Sequence, residues 1–585
     1  MSEIDPVTLS ILMNKLTSIS EEMNLYLVKA SYSTNIKDRR DSSTAIYKVD
    51  GDMLAQGAFV PVHLGVMPIA LKEVLQEVHL DSMRAGDVII HNDGYKGGTH
   101  LNDIILYKPI FYKSKPIAIA GTCAHHPDVG GTPDALSEGS IFSEGIRLSA
   151  IKLFRAGELQ DDVMRIISTN VRTPQIVKGD ILAQCAANNR CEERILQLAG
   201  EYGAEMTLQY FDELLDYSER GMRSAISKLP SMETEFEDFS DFDGVNFRKD
   251  LFKIRPKIRI VGDEVYVSFE DPPPPGAGGV NSPWSLTLSA CYYAIKAVVG
   301  PTVPTNGGAY RPIHVIKPEK ESMLCAQLPH AVRGCTSEPA ERIVDAIIGA
   351  FSKILPERVC ACDGHWPSAS FLGIDPKTGE FFAYIETYGG GRGAKYNDDG
   401  ADAHHTHMTN TRNAEVEIIE SEYPLRVDAY RIVSDTGGPG RFRGGCAMRR
   451  EFTILANEIQ SSADVYRTLT GPYGLFGGKP GGTAKCGIIF PDGEEICGHY
   501  LNNSVPASSK MYIQSNGGGG YGDPLTRDSE KVMWDVLNEY VSLKAAKEEY
   551  GVLIDSRNFQ VDFAATEAER KRLREPSEIL TPTKT

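Results

Sequence analysis

From Glu380 to Gly522 the chain is interrupted by glycine clusters: Gly389-Gly390-Gly391 with Gly393, Gly437-Gly438-Pro439-Gly440, Gly444-Gly445, Gly477-Gly478 and Gly517 to Gly520. Glycine weakens the interior of helices and strands and supplies the backbone freedom that turns require. Clusters at this density therefore punctuate short strands of a sheet-rich unit. They follow no fixed period, which excludes a repeat array.

The texture before this region differs. Asp5-Pro6 is a capping side chain followed by proline at the first helical position. Ile11, Leu12, Leu16, Ile19, Met23 and Leu27 then recur at helical spacing, which predicts an amphipathic helix to about Ala30. Short strand-like runs between Gly, Asn and Asp turns fill Ser43 to Leu153, and Ile181 to Lys228 returns to helix. The stretch 233–250 reads as a linker or edge strand, and 254–269 alternates as strands do. Asp271-Pro272-Pro273-Pro274-Pro275-Gly276 forms a rigid extended loop, because consecutive prolines fix φ and remove donors. Ser529 to Lys547 reads as helix, and the charged tail from Thr566 as frayed. The expected fold class is α+β, with mixed sheets, glycine-rich loops and peripheral helices. Four units follow: 1–235 with helices and the densest motifs, 236–380 as a central α/β unit, 381–526 as the glycine-rich β unit, and 527–585 as C-terminal helix and tail.

Several function classes drop out on bulk chemistry. The chain has 585 residues and a formal charge of −18, whereas nucleic-acid binding needs clustered Lys and Arg. Its apolar runs are far shorter than the ~20 residues that span a bilayer, and Glu3 and Asp5 stand where a signal peptide has basic residues. Eleven cysteines lack regular spacing; the nearest pair, Cys360 and Cys362, is C-x-C rather than C-x-x-C. They read as reduced, mostly buried thiols of a cytoplasmic protein. There is no P-loop and no G-x-S-x-G elbow. Gly389 to Gly393 could nest an anion, although a tight turn is the simpler reading.

Histidine placement is the positive signal. Of thirteen histidines, His63, His91, His100, His125 and His126 fall in the one motif-dense segment. Gly97-Gly98-Thr99-His100-Leu101-Asn102-Asp103 sets His100 three residues before Asp103, and Ala124-His125-His126-Pro127-Asp128 follows. Imidazole with carboxylate suits a divalent first-row cation, which lowers the pKa of bound water or polarises a carbonyl. His100, Asp103 and His125 are candidate ligands, with Asp41 of Asp38-Arg39-Arg40-Asp41 as a fourth. His126 and Asp38 are the candidate catalytic residues that handle protons. His404-His405-Thr406-His407, after Asp398-Asp399, reads equally as metal-binding and as a polar surface loop.

Several stretches together resemble the hydantoinase B/oxoprolinase family: Asn35 to Asp41, Pro61 to Gly65, Asn92 to Asp103, His125 to Gly131, Ser143-Glu144-Gly145, Pro304 to Gly308, Arg441 to Gly445 and Gly517 to Pro524. The resemblance runs over nearly the whole chain. It implies a metal at His100, Asp103 and His125 with an aspartate of the Asp38–Asp41 segment close by, zinc being preferred to manganese or iron. It also implies a hydantoinase A-like ATPase partner that uses ATP and magnesium, in a heterotetramer of two A and two B subunits. The expected activity is hydrolysis of a cyclic amide such as a lactam or hydantoin after its phosphorylation; a ketone carboxylase subunit is the alternative. Ser268 to Gly276 departs from the family pattern, which implies a different substrate or channel wall.

Overall fold

The computed structural model describes residues 4–133, 136–245 and 247–574. Helix α1 (Pro6–Ala30) begins as its cap dictates, with the Asp5 carboxylate accepting from the Val7 and Thr8 amides. Its buried face runs through Leu12, Leu16, Ile19, Met23 and Leu27. Ile11, counted on that face from its spacing, is 44% exposed.

The strands β1 (Ser42–Tyr47), β2 (Met53–Gln56), β3 (Val88–His91), β4 (Asp103–Tyr112), β5 (Lys115–His125), β6 (Ile151–Arg155) and β7 (Glu158–Leu159) form one sheet. It runs in the order β2-β1-β5-β4-β3-β6-β7, and every pairing is antiparallel. Helices α1 and α3 (Pro174–Tyr202) pack together and against its strands, while α2 (Pro61–Glu77) also packs on it. The helix expected over 181–228 is two helices, because Gly203 breaks it at φ 81° before Ala204–Ile226.

A second sheet joins Met232–Glu235, Pro256–Val261, Glu264–Phe269 and Ile313–Val315. A strand that ends at residue 235 thus shares its sheet with strands beyond it. Ser368–Ile374 and Phe381–Thr387 form an antiparallel hairpin, so both sides of residue 380 lie in one sheet, with Glu458–Asp464 and Tyr500–Pro506 completing it. The strands Leu425–Val433, Ala447–Ile454, Lys510–Gln514, Lys485–Ile489 and Glu495–Gly498 form a five-stranded sheet.

The glycine clusters do more than punctuate these strands. Gly518, Gly519 and Gly520 donate to the carbonyls of Gly445, Cys362 and Lys479 at 2.9, 2.8 and 2.9 Å. A Cβ on Gly518 would lie 2.2 Å from the Arg392 carbonyl oxygen, and one on Gly445 1.9 Å from that of Ala401. Backbone here packs directly on backbone, a separation that a side chain forbids.

Near the C-terminus, 529–547 is two helices, Ser529–Leu537 and Leu543–Tyr550. The segment from Thr566 is not frayed as far as Arg574: it belongs to the helix Phe563–Arg574, and Arg570 donates to the carbonyls of Arg527 and Tyr550. Residues 575–585 lie outside the described residues. Ten of the eleven cysteines are buried, and all are free thiols. No described helix is long and apolar enough to cross a membrane.

Candidate functional site

Strand register assembles the site. In the β4–β5 hairpin Asp103 lies directly opposite His125. On the other side of β5, Ser42 pairs with Ala124, and the His125 amide donates to the Asp41 carbonyl at 3.0 Å. Asp41, His125 and Asp103 are thereby delivered side by side at one end of the sheet, although 22 residues separate the last two. His100 enters from the turn before β4, and His63 from the first turn of α2.

The polar atoms converge. Asp103 Oδ1 lies 3.1 Å from His100 Nε2, 3.1 Å from His125 Nδ1 and 3.3 Å from His63 Nε2. The two nitrogens of His100 and His125 are themselves 3.1 Å apart. His63 Nε2 is 3.9 Å from Asp41 Oδ1. Thr99 holds the second oxygen of Asp103, and the ring of His100 is fixed from behind, since its Nδ1 meets the Arg333 carbonyl at 3.0 Å. That contact orients the ring so that Nε2 faces the carboxylate.

Burial opposes charge on Asp103, but His100 and His63 outweigh it and hold the carboxyl well below the usual carboxylate range. Burial lowers the His125 imidazole and favours its neutral form. Three nearly water-free groups, one of them anionic, thus aim ligand-capable atoms at one another. Proteins place such groups around a cation. Tetrahedral coordination with bonds of about 2.0–2.3 Å sets donor separations of about 3.3–3.8 Å, close to those found here.

Of the residues expected from sequence, Asp41, His100, Asp103 and His125 are brought together around one pocket. His126 is not. It follows His125, so the alternation of an extended chain turns it to the other face, where Nε2 meets Gln184 Oε1 of α3 at 3.1 Å. Asp38 is also absent from the pocket. It caps the short helix Thr34–Lys37; burial and the nearby Glu415 and Glu422 raise its carboxyl, against the pull of Lys37. Neither residue is positioned to exchange a proton with a group in this pocket.

Three polar residues of the pocket were given no role by the sequence reading: His63, Glu144 and Arg333. Ser143-Glu144-Gly145 was legible as a motif, but nothing in its spacing located it. Glu144 is 1% exposed and Oε1 accepts the Val332 and Arg333 amides, while Oε2 has no partner. Burial pushes its carboxyl up to about 7, against those two bonds and the Arg333 charge. Arg333 donates to Asn102 Oδ1. The opposite wall comes from the strands at 368–374, 381–387 and 458–464, through Ser368, Ser370, Thr387, Ser462 and Asp464.

Glu144 yields a pH prediction. Its folded-state value of about 7 lies above the ordinary 4.5, so the stability it contributes is complete below about 4.5 and is lost as pH rises through 7. Glutamine does not titrate. The stability of Glu144→Gln relative to wild type should therefore rise by on the order of 3 kcal/mol across that window and then level off. Urea unfolding at pH 5 and pH 8 checks this, and an equal difference at both contradicts it.

The model of the family described as Hydantoinase B/oxoprolinase matches residues 5–524. The beta subunit of a caprolactamase from Pseudomonas jessenii is 32% identical over 97% of this chain and 100% of its own. The crystal structure of the ATP-dependent caprolactamase from Pseudomonas jessenii covers 97% of this chain and 100% of that one, with 30% identity and a TM-score of 0.87. An acetone carboxylase in a nucleotide-free structure covers 97% and 83% with a TM-score of 0.89 at 19% identity, a likeness of fold alone.

Proposed function

Because the chain belongs to the Hydantoinase B/oxoprolinase family, we propose that it is the metal-dependent hydrolytic subunit of an ATP-dependent enzyme that opens cyclic amides. The observation that carries this reading is the convergence of His100 Nε2, His125 Nδ1 and Asp103 Oδ1 at mutual distances of 3.1 Å. These three would hold the cation, with Asp41 and His63 flanking them. Zinc suits the imidazole-rich set best, ahead of manganese or iron. When bound, a divalent cation there supplies Lewis-acid chemistry, lowering the pKa of water and polarising a carbonyl.

An amide resists attack because resonance stabilises it. Phosphorylation of its oxygen by an ATPase partner makes the carbon a better electrophile, and the naming of the caprolactamase relative as a beta subunit supports such a partner. The assembly expected is a heterotetramer with two copies of each chain. In the pocket, the Arg333 guanidinium would face the anionic oxygens of the activated amide. Glu144, with a carboxyl near 7, would take the proton from the attacking water and return one to the departing ring nitrogen. Departure of the ring nitrogen leaves an acyl phosphate at the carbon. A second water hydrolyses it, so two waters are consumed and the products are the opened amino acid and phosphate.

The test is a co-purified complex with the ATPase partner, screened against hydantoins, 5-oxoproline, caprolactam and aryl ketones, with and without bicarbonate. The expected result is ATP consumption coupled to ring opening and indifferent to bicarbonate. ATP consumption that requires bicarbonate would replace this reading with a ketone carboxylase. Ring opening by the isolated chain would remove the need for the partner.

A further inference from the structure

A second group of donors is buried behind the pocket wall. It unites two sequence features left without a role: the C-x-C pair at 360 and 362, and the last histidine of His404-His405-Thr406-His407. His404 is exposed, and His405 Nδ1 faces Thr411 Oγ1 at 3.4 Å. His407 turns toward the buried acidic groups. Its side chain is 6% exposed, and its Nε2 lies 3.1 Å from Asp363 Oδ2 and 3.4 Å from Asp345 Oδ1. The ligand atoms of Cys360, Asp363 and His407 all lie within 4.8 Å of one another.

Nε2 of His407 lies 3.1 and 3.4 Å from the Asp363 and Asp345 oxygens without a well-aligned hydrogen bond to either. Against its burial, and in the absence of a cation, the two carboxylates hold the imidazole protonated, raised to about 9. Within 4.0 Å, His407 is the only cationic side chain that meets the Asp363 carboxylate among the described residues. Asp363 Oδ1 is already used by the Gly393 amide, which leaves Oδ2 for whatever His407 also faces. Asp345 Oδ2 is held by His365 at 2.9 Å and Arg467 at 3.0 Å, so its Oδ1 is likewise the free oxygen. A nitrogen, a carboxylate oxygen and a thiol thus lie within 4.8 Å of one another, with Asp345 Oδ1 beside the nitrogen at 3.4 Å.

We infer that Cys360, Asp363 and His407 form a second, structural binding site for a thiophilic divalent cation such as zinc. A buried donor set of sulfur, imidazole and carboxylate suits zinc rather than magnesium or calcium, which take oxygen ligands. Its place in the fold gives it a purpose. Glu341, one helical turn before Asp345, accepts from Trp366 Nε1 at 2.9 Å and from the Met408 amide at 3.0 Å. Trp366 and Met408 both line the first pocket. A cation gripping His407 would fasten the wall against which substrate rests.

The test uses the full-length chain, loaded with zinc, dialysed and assayed for metal by mass spectrometry. Wild type should retain two equivalents per chain. Asp103→Asn should retain one, Cys360→Ser and His407→Gln one each, and Asp103→Asn combined with Cys360→Ser none. Cobalt loading adds a readout independent of folding in the cysteine variant: Asp103→Asn should keep a thiolate-to-cobalt charge-transfer band, and Cys360→Ser should lose it. One equivalent in wild type that Asp103→Asn abolishes, or no thiolate band in Asp103→Asn, overturns the inference. Metal content unchanged by Asp103→Asn but lowered by Cys360→Ser would instead sink the first site and leave the second standing.

Discussion

Asp103→Asn in the assembled enzyme is expected to lower turnover by roughly 10³-fold, since loss of about 4 kcal/mol of transition-state stabilisation corresponds to that factor. The change is nearly isosteric. Thr99 and the β4–β5 hairpin around it are retained, so the fold should survive. What disappears is the anionic oxygen shared by His100, His125 and His63 at 3.1, 3.1 and 3.3 Å. A neutral amide oxygen is a weaker ligand, and it no longer balances a buried cation. Steady-state turnover of the co-purified complex, with circular dichroism as a control for folding, reads the result. Turnover within tenfold of wild type would show that the cluster is not catalytic.

Arg450→Met is the second large effect, and it falls on stability. Arg450, on the strand Ala447–Ile454, meets Glu386 Oε2 of the strand Phe381–Thr387 at 2.8 Å, with both side chains fully buried. The pair joins the four-stranded sheet to the five-stranded one. Glu386 also accepts from the Tyr384 hydroxyl at 2.7 Å and the Ala414 amide at 2.7 Å, and Arg450 donates to the Ala414 carbonyl at 3.0 Å. Removing the guanidinium leaves a carboxylate in a dry interior. Breaking such a pair costs about 3–5 kcal/mol, whereas replacing both partners by apolar groups costs far less. Arg450→Met combined with Glu386→Gln, which removes the buried charge but keeps an acceptor for Tyr384 and the Ala414 amide, should therefore recover part of the loss. A chain of this size need not unfold in one step, so the proper readout is hydrogen exchange in 425–433 and 447–454. Unchanged protection in the single variant would contradict the assignment.

These cases also mark what the sequence could disclose. Local signals survived intact: Asp5-Pro6 opens α1 where capping chemistry requires, and its stripe from Leu12 to Leu27 is buried. The polar cluster was legible because His100, Asp103 and His125 sit in two short motifs that a single hairpin brings face to face. His126 was misread because it adjoins a site residue in sequence, whereas extended chain sends neighbours to opposite sides. Glu144, His63 and Arg333 were out of reach for a different reason. They arrive from separate elements, and only the packing of a helix, a loop and a distant turn carries them to the pocket. The same holds for His407, which lies 44 residues beyond Asp363 in sequence yet 3.1 Å from it in space.

The central claim is that one cation is shared by His100, Asp103 and His125. Anomalous scattering from crystals of the loaded protein, collected at the absorption edge of the metal it carries, addresses this directly. The expected map has a peak about 2.0–2.2 Å from His100 Nε2, His125 Nδ1 and Asp103 Oδ1, absent in Asp103→Asn. Crystals of fully active, metal-loaded protein with no peak among these three side chains would contradict it.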